Sequence, residues 1–335
     1  MEILLEFFNR FIAQVQSPTL AFLIAGMVIA AFNSKLRIPD AIYQFCVFML
    51  LMRIGLKGGM AIRDANIVEM LLPAVFSAIL GIGIVLLGSI TFARLPGIKK
   101  DDAFATLGLF GAVSGSTLAA GLMMLEGAGV FYEAWVPALY PFMDIPALVT
   151  AIVLANLYMS KEKGGAGAKV AIWPIIKDCL QGAALTVLIM GVVLGLITKP
   201  EKVFEGFFDP LFRGFLSVLM LILGIEAYKH LKDLAKVAHW YVAYAFVGPI
   251  VHGLMGFGLG YVAHLLVGLS PGGVIMLAVI AASNSDISGP PTIRAGIPTA
   301  NPSAYIGTST GLGTPVAIAV CIPLFLALGQ MVFGF

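Results

Sequence analysis

Two short polar segments, one in each half of the chain, interrupt apolar runs that are otherwise long enough to cross a membrane. GAVSGST occupies residues 111–117 within a run from about residue 103 to 125, and ASNSDISGPPT occupies residues 282–292 within a run that begins near Gly273. A bilayer core offers no water to the backbone, so a helix can unwind there only where protein or a wet cavity takes up the freed N–H and C=O groups. Interruptions at corresponding places in two halves of a chain point to the substrate site of a secondary transporter.

The rest of the sequence requires the membrane. The chain is 60% hydrophobic and 11% charged, against about 25% charged residues in an average soluble domain. A net charge of +2, with Lys and Arg confined to short connectors, leaves no basic stripe for nucleic acid. Cys46, Cys179 and Cys321 are scattered in apolar segments, as small core residues with neither a disulfide framework nor a metal spacing. Residues 3–13, apolar with Glu6 and Arg10 one turn apart, suit an interfacial helix.

At about 20 apolar residues per crossing, the pattern predicts an all-α polytopic protein of about ten spans. They fall near residues 17–33, 38–58, 68–93, 103–125, 136–158, 177–197, 208–228, 239–265, 273–294 and 304–332. The hydrophilic stretch SKEKGGAGAK after the fifth span divides a first repeat (1–159) from a second (171–335), with residues 160–170 as linker. An offset of 169 takes Gly26 to Gly195, Gly55 to Gly224, Ser114 to Ser283, Ser116 to Ser285 and Pro146 to Pro315. Five spans is an odd number, so the second copy enters from the opposite side, as an inverted repeat. Of the 20 Lys and Arg residues, seven fall in connectors on the side of the termini and thirteen on the other. The positive-inside rule then puts both termini outside and the linker in the cytoplasm.

A helix broken at mid-membrane offers N–H groups to an anion at the start of its second half and carbonyls to a cation at the end of its first. In the first break Gly111, Ala112, Val113 and Gly115 allow close backbone approach, while Ser114, Ser116 and Thr117 supply hydroxyls, a set suited to a small oxyanion; the alternative is plain helix packing by small residues. The second break adds a carboxylate. Asp286 stands among Ser283, Asn284, Ser285 and Ser288, all oxygen donors suited to sodium, and a lipid-facing acid would cost on the order of 3 kcal/mol. The alternative is a cap on the second half-helix, and one residue can do both. Pro290 and Pro291 stop a regular helix. Asp144, just before Pro146, serves either as a structural acceptor for the unwound segments or as an ion ligand. Lys57 and Glu226, at span ends, read as snorkelling groups. His252 reads as a satisfied core histidine, and Arg294 either balances Asp286 or anchors a span end. The sequence contains no HExxH, G-x-S-x-G or P-loop, so neither an enzyme nor ATP-driven transport is expected.

At these segments the chain resembles a known family. SPTLAFLIAGMVIAA, GLFGAVSGSTLAAGL, EAWVPALYPFMDIPALVTAIV and SNSDISGPPTIRAGIPTANPSAYIGTSTGLGTP are similar to the SbtA-type sodium-dependent bicarbonate transporters of cyanobacteria. The resemblance implies a homotrimer in the plasma membrane that couples inward sodium to bicarbonate uptake for carbon concentration, with no cofactor besides the coupling ion. It implies a gate domain of spans 1, 2, 6 and 7 and an elevator core of spans 3–5 and 8–10, with bicarbonate held by residues 111–117, Ser283 and Ser285. Sodium would be held by Asp286, Ser283, Asn284, Ser285, Ser288 and Asp144. A cytoplasmic PII-like regulator, SbtB, is the implied partner. The linker here is shorter than the charged insert of many family members. The rival readings are a sodium/proton antiporter, a sodium:organic-anion symporter, and a membrane receptor or scaffold for a cytoplasmic regulator.

Overall fold

The computed structural model describes residues 18–64, 67–162, 172–234, 239–287 and 289–335. The expected interfacial helix at 3–13, most of the linker and Ser288 lie outside the described residues. The described chain is helical, with no strand among those residues. Among the described residues, seven helical stretches, one of them interrupted, are long and apolar enough to cross a membrane, by length and composition, and three shorter apolar helices accompany them. The seven coincide with the second to fifth, seventh, eighth and tenth expected runs; the shorter three coincide with the first, sixth and ninth. Only helices or a closed barrel satisfy every backbone group in hydrocarbon, which is why these runs become helices regardless of their β-branched content.

The helices are α1 (Pro18–Ala31), α2 (Asp40–Asp64), α3 (Ile67–Ile90), α4 (Lys100–Gly111), α5 (Gly115–Gly127), α6 (Tyr140–Glu162), α7 (Ile172–Gln181), α8 (Ala183–Ile197), α9 (Asp209–Leu234), α10 (His239–Val267), α11 (Pro271–Ala282) and α12 (Gly289–Gly296). The last, α13, runs over Pro302–Phe333 and contains π-helical turns at Ser309–Gly313 and Ala317–Cys321. The expected sixth span is split at Gly182 into α7 and α8.

Packing sorts the helices into two sets. In one, α1 lies against α9 and α2 against α8; in the other, α3, α4 and α6 pack together, as do α10, α11 and α13. The sets meet where α9 touches α13 and α2 touches α5. Backbone touches backbone in the first set. A Cβ on Gly26 would run into the carbonyl oxygen of Leu221, and one on Gly224 into that of Leu23, which seats α1 on α9. A Cβ on Gly55 would lie 2.5 Å from the carbonyl oxygen of Leu188, and one on Gly195 2.5 Å from that of Leu56, which seats α2 on α8. Small residues at such crossings let dispersion act over the whole seam, the main attraction available between helices in lipid. Cys46 and Cys321 are free, buried thiols.

Candidate functional site

Both polar segments are breaks between half-helices. Residues 112–114 join α4 to α5, and a second break that begins at Ser283 separates α11 from α12. The breaks touch at positions related by the 169-residue offset: the amide of Ser114 donates to Ser283 Oγ at 3.1 Å. The amide of Ser285 donates to the carbonyl of Leu109 at 2.8 Å, one of the last four carbonyls of α4, which lack a partner within their own helix. Gly111, Ala112, Val113, Ser114, Gly115, Ser116 and Thr117 are all buried, as are Ser283, Asn284, Ser285 and Asp286.

Ser114 caps α5, its Oγ accepting from the Thr117 amide at 3.1 Å. It also shares a 2.8 Å hydrogen bond with Ser116 Oγ, which in turn donates to Asp286 Oδ2 at 2.5 Å. Because the Ser116 hydrogen is committed to the carboxylate, Ser114 is the donor in the first of these bonds. Asp286 thus lies at the amino end of α5, where the helix dipole favours negative charge. The cap of α12 is a different residue. Ser285 Oγ accepts from the Gly289 amide at 2.9 Å, and Pro290 and Pro291 stand in the first turn of α12, where the missing N–H groups cost nothing. The prolines thus begin the second half-helix, after the interruption expected there, and the Gly289 amide is taken up by Ser285 rather than by Asp286.

Asp144, fully buried on α6, accepts the Val113 amide on Oδ1 at 2.9 Å. It ties the first break to a neighbouring helix, leaving Oδ2 without a partner among the described residues. Asp286 Oδ1, Asn284 Nδ2, Thr117 Oγ1 and Thr310 Oγ1 are likewise buried and unpartnered. Buried polar atoms are rarely left so, and here they gather around the two breaks. The π-helical part of α13 completes the surroundings, with Thr314 Oγ1 donating to Asn284 Oδ1 at 2.8 Å.

Asp286 also faces a cavity of about 760 Å³, lined by Asp40, Tyr43 and Gln44 of α2, Gln181 of α7, Glu226 of α9 and Thr310 of α13. Glu226, at the end of its span, thus also lines this cavity. Toward the opposite end of α2, about 20 Å from Asp40 at 1.5 Å per residue, a charge network links the two helix sets. Arg53 Nε donates to Asp209 Oδ1 of α9 at 2.9 Å and Nη2 to Glu126 Oε1 of α5 at 3.3 Å. Its guanidinium carbon lies 4.2 Å from the centre of the Phe212 ring. Lys57 donates to the same Glu126 oxygen and to the Tyr132 hydroxyl, both at 3.0 Å, which corrects its reading as a snorkelling group. Tyr132 also donates to Glu126 at 2.7 Å; burial and the neighbouring carboxylate push its phenol well above the usual value.

Arg294 is exposed and forms no ion pair with Asp286 among the described residues. His252 is buried, with Nε2 3.3 Å from the Tyr244 hydroxyl and Nδ1 unpartnered. Thr310, Thr314, Gln44, Gln181 and the Arg53 network are additions to the site residues read from sequence. The one available signal was the run GTSTGLGTP at 307–315, too rich in small and hydroxyl residues for an ordinary span.

Among known proteins, no curated one matches the chain. A family model described as the Na+-dependent bicarbonate transporter superfamily matches residues 18–330, a stretch that includes both breaks, Asp144 and the polar part of α13. The match covers nearly the whole chain, and this multi-pass membrane protein belongs to the Na+-dependent bicarbonate transporter superfamily.

Proposed function

We propose that the protein is a sodium-driven bicarbonate symporter that works by elevator-type alternating access. The observation that carries the reading is Asp286, a buried carboxylate at the amino end of α5 with one oxygen held by Ser116 and the other unpartnered. A sodium ion on that free oxygen, helped by oxygens of Ser283, Asn284, Ser285 and Ser288, neutralises the carboxylate. Bicarbonate then meets the amide end of α5, near Gly115 and Ser116, instead of a negative charge. Without sodium the anion faces Asp286 in a low dielectric; without the anion, sodium leaves excess positive charge there. Each ligand raises the affinity for the other, and the coupling is reciprocal.

The movement has structural support in the two helix sets. We assign spans 1, 2, 6 and 7 to a gate and spans 3–5 and 8–10 to a core that carries both breaks. The inverted repeat is supported by the exchange of contacts under the offset: Gly26 meets α9 near Gly224, while their mates Gly195 and Gly55 meet each other's helices. The Arg53–Glu126–Lys57 network closes one face between gate and core, and the cavity below Asp286 leaves the other open. With the basic connectors inside, this is the inward-open state, with the termini outside. The homotrimer and the cytoplasmic PII-like regulator belong to the same reading through the family resemblance.

Uptake of labelled bicarbonate into proteoliposomes, with and without an inward sodium gradient and with chloride, sulfate and nitrate as competitors, tests it. Uptake that follows the sodium gradient and resists the competitors is expected; gradient-independent uptake overturns it. A second buried carboxylate, Asp144, with a free oxygen favours the rival of proton-coupled exchange, which the same vesicles reveal as sodium flux driven by a pH gradient.

A further inference from the structure

We infer that a lateral groove between α3 and α10 binds the acyl chain of an anionic glycerophospholipid. The groove has a volume of about 520 Å³ and is walled by Leu87, Phe92, Leu95, Val247, Val251 and His252. It opens sideways among apolar residues that the protein leaves uncovered, with Val247 56%, Leu86 46% and Val251 38% exposed. Both helices are of membrane-spanning length and composition, so the opening faces hydrocarbon, and a chain can enter from the bilayer without crossing water.

The headgroup preference follows from the mouth. Thr91 and Trp240 line that end, where an amphipathic aromatic marks the level of the lipid headgroups. Arg94, between the lining residues Phe92 and Leu95, is exposed and forms no ion pair among the described residues. The Lys100 ammonium donates to the carbonyl of Ala93 alongside it. Asp101 and Asp102 are the acids nearest in sequence, and Asp102 is committed to the Asn301 amide, so against Arg94, Lys99 and Lys100 the segment keeps a net charge of +1. A phosphodiester supplies the missing negative charge. At its inner end the groove reaches His252, whose Nδ1 is buried and unpartnered.

The occupant would lie behind the first break. Phe92 stacks on Tyr244 with ring centroids 4.3 Å apart, and Tyr244 packs on Phe110 at 4.9 Å. Phe110 precedes Gly111 and the break itself. A chain in the groove therefore supports the wall that holds α4 in place. The inference rests on the groove and its placement in the membrane and stands apart from the proposed function.

Trp240 reports occupancy directly. With Trp135→Phe and Trp173→Phe it is the only tryptophan of three, and lipids brominated on the acyl chain quench it on contact. In phosphatidylcholine vesicles, brominated phosphatidylglycerol should reach half-quenching at about fivefold lower mole fraction than brominated phosphatidylcholine, the scale set by one basic side chain at an anionic surface. Arg94→Gln should remove the difference. Gly248→Leu, whose Cβ has ordinary clearance of 3.4 Å, should fill the groove and abolish tight quenching. Equal quenching by the two lipids, quenching by neither because protein covers the groove, or unchanged behaviour in either variant overturns the proposal. Should the double Trp variant not fold, native mass spectrometry of the unsubstituted protein decides. Phosphatidylglycerol retained through detergent exchange, and lost in Gly248→Leu, is expected; its absence from the unsubstituted protein overturns the inference.

Discussion

The glycine seams and the two breaks are both built from residues that the 169-residue offset pairs, yet only at the breaks do the paired residues meet each other, and the two regions do opposite things with their contacts. Along α1–α9 and α2–α8 a glycine on one helix meets backbone atoms of the other, so backbone meets backbone and nothing is left over for chemistry. At the breaks the partners are serines, and Ser114 meets Ser283 through a hydrogen bond that leaves neighbouring polar atoms free. A seam made of glycine is sensitive to volume and indifferent to charge. A site made of hydroxyls and a carboxylate is the reverse.

The largest effect should come from volume in the seam. Gly55→Leu places a branched side chain where even a Cβ lies 2.5 Å from the Leu188 carbonyl oxygen, an overpacking that costs about 3 kcal/mol or more where backbone must shift. Loss of monodisperse protein in detergent chromatography is expected; a well-behaved, transporting variant would break the comparison at its strongest point. Asp286→Asn comes next and acts the other way. It keeps volume and removes charge, so thermal stability should be retained while sodium-driven uptake is lost. Normal sodium dependence would move the coupling site elsewhere.

Ser116→Ala removes a 2.5 Å hydrogen bond to the carboxylate, of a class worth about 1.5–3 kcal/mol. The half-saturating bicarbonate concentration should rise about tenfold or more with little change in folding. An unfolded Ser116→Ala protein would show that the breaks are structural in the same sense as the seams. The smallest effect is expected at Tyr132→Phe, on the closed face. It removes the hydroxyl shared by Lys57 and Glu126, at a cost of about 1 kcal/mol in thermal unfolding. Because folding raises the phenol's pKa, this contribution is fully present below the ordinary value of about 10. It is lost only as pH rises through the higher folded value, so stability measured from neutral pH to about pH 9 should show a constant difference from the parent.

Much of this was legible because a membrane removes options. Without water, the polar runs at 111–117 and 282–292 could not pass as one uninterrupted lipid-facing helix or as exposed loop, and the helices stop at residues 111 and 282 and start again at 115 and 289. The family was legible for a related reason: irregular stretches such as SNSDISGPPT have no explanation in packing alone. The capping roles within the second break were not. Ser285 and Asp286 are neighbours of similar capping strength, and only the fold shows that Ser285 takes the Gly289 amide while Asp286 accepts the Ser116 hydroxyl. Lys57 and Glu226 looked alike at span ends, yet one joins a network with Glu126 and the other lines the cavity.

By itself, then, the sequence determined the solvent, the helical class, the places where helices break and the residue types gathered there, because each follows from local composition and from the cost of bare backbone in hydrocarbon. The tertiary structure decided which polar atoms meet. Asp144 reaches Val113 across 31 residues, Ser116 reaches Asp286 across 170, and Arg53 reaches Asp209 across 156. No local rule sets such pairings, because they depend on how helices distant in sequence cross, and that crossing is chosen by close packing over whole seams.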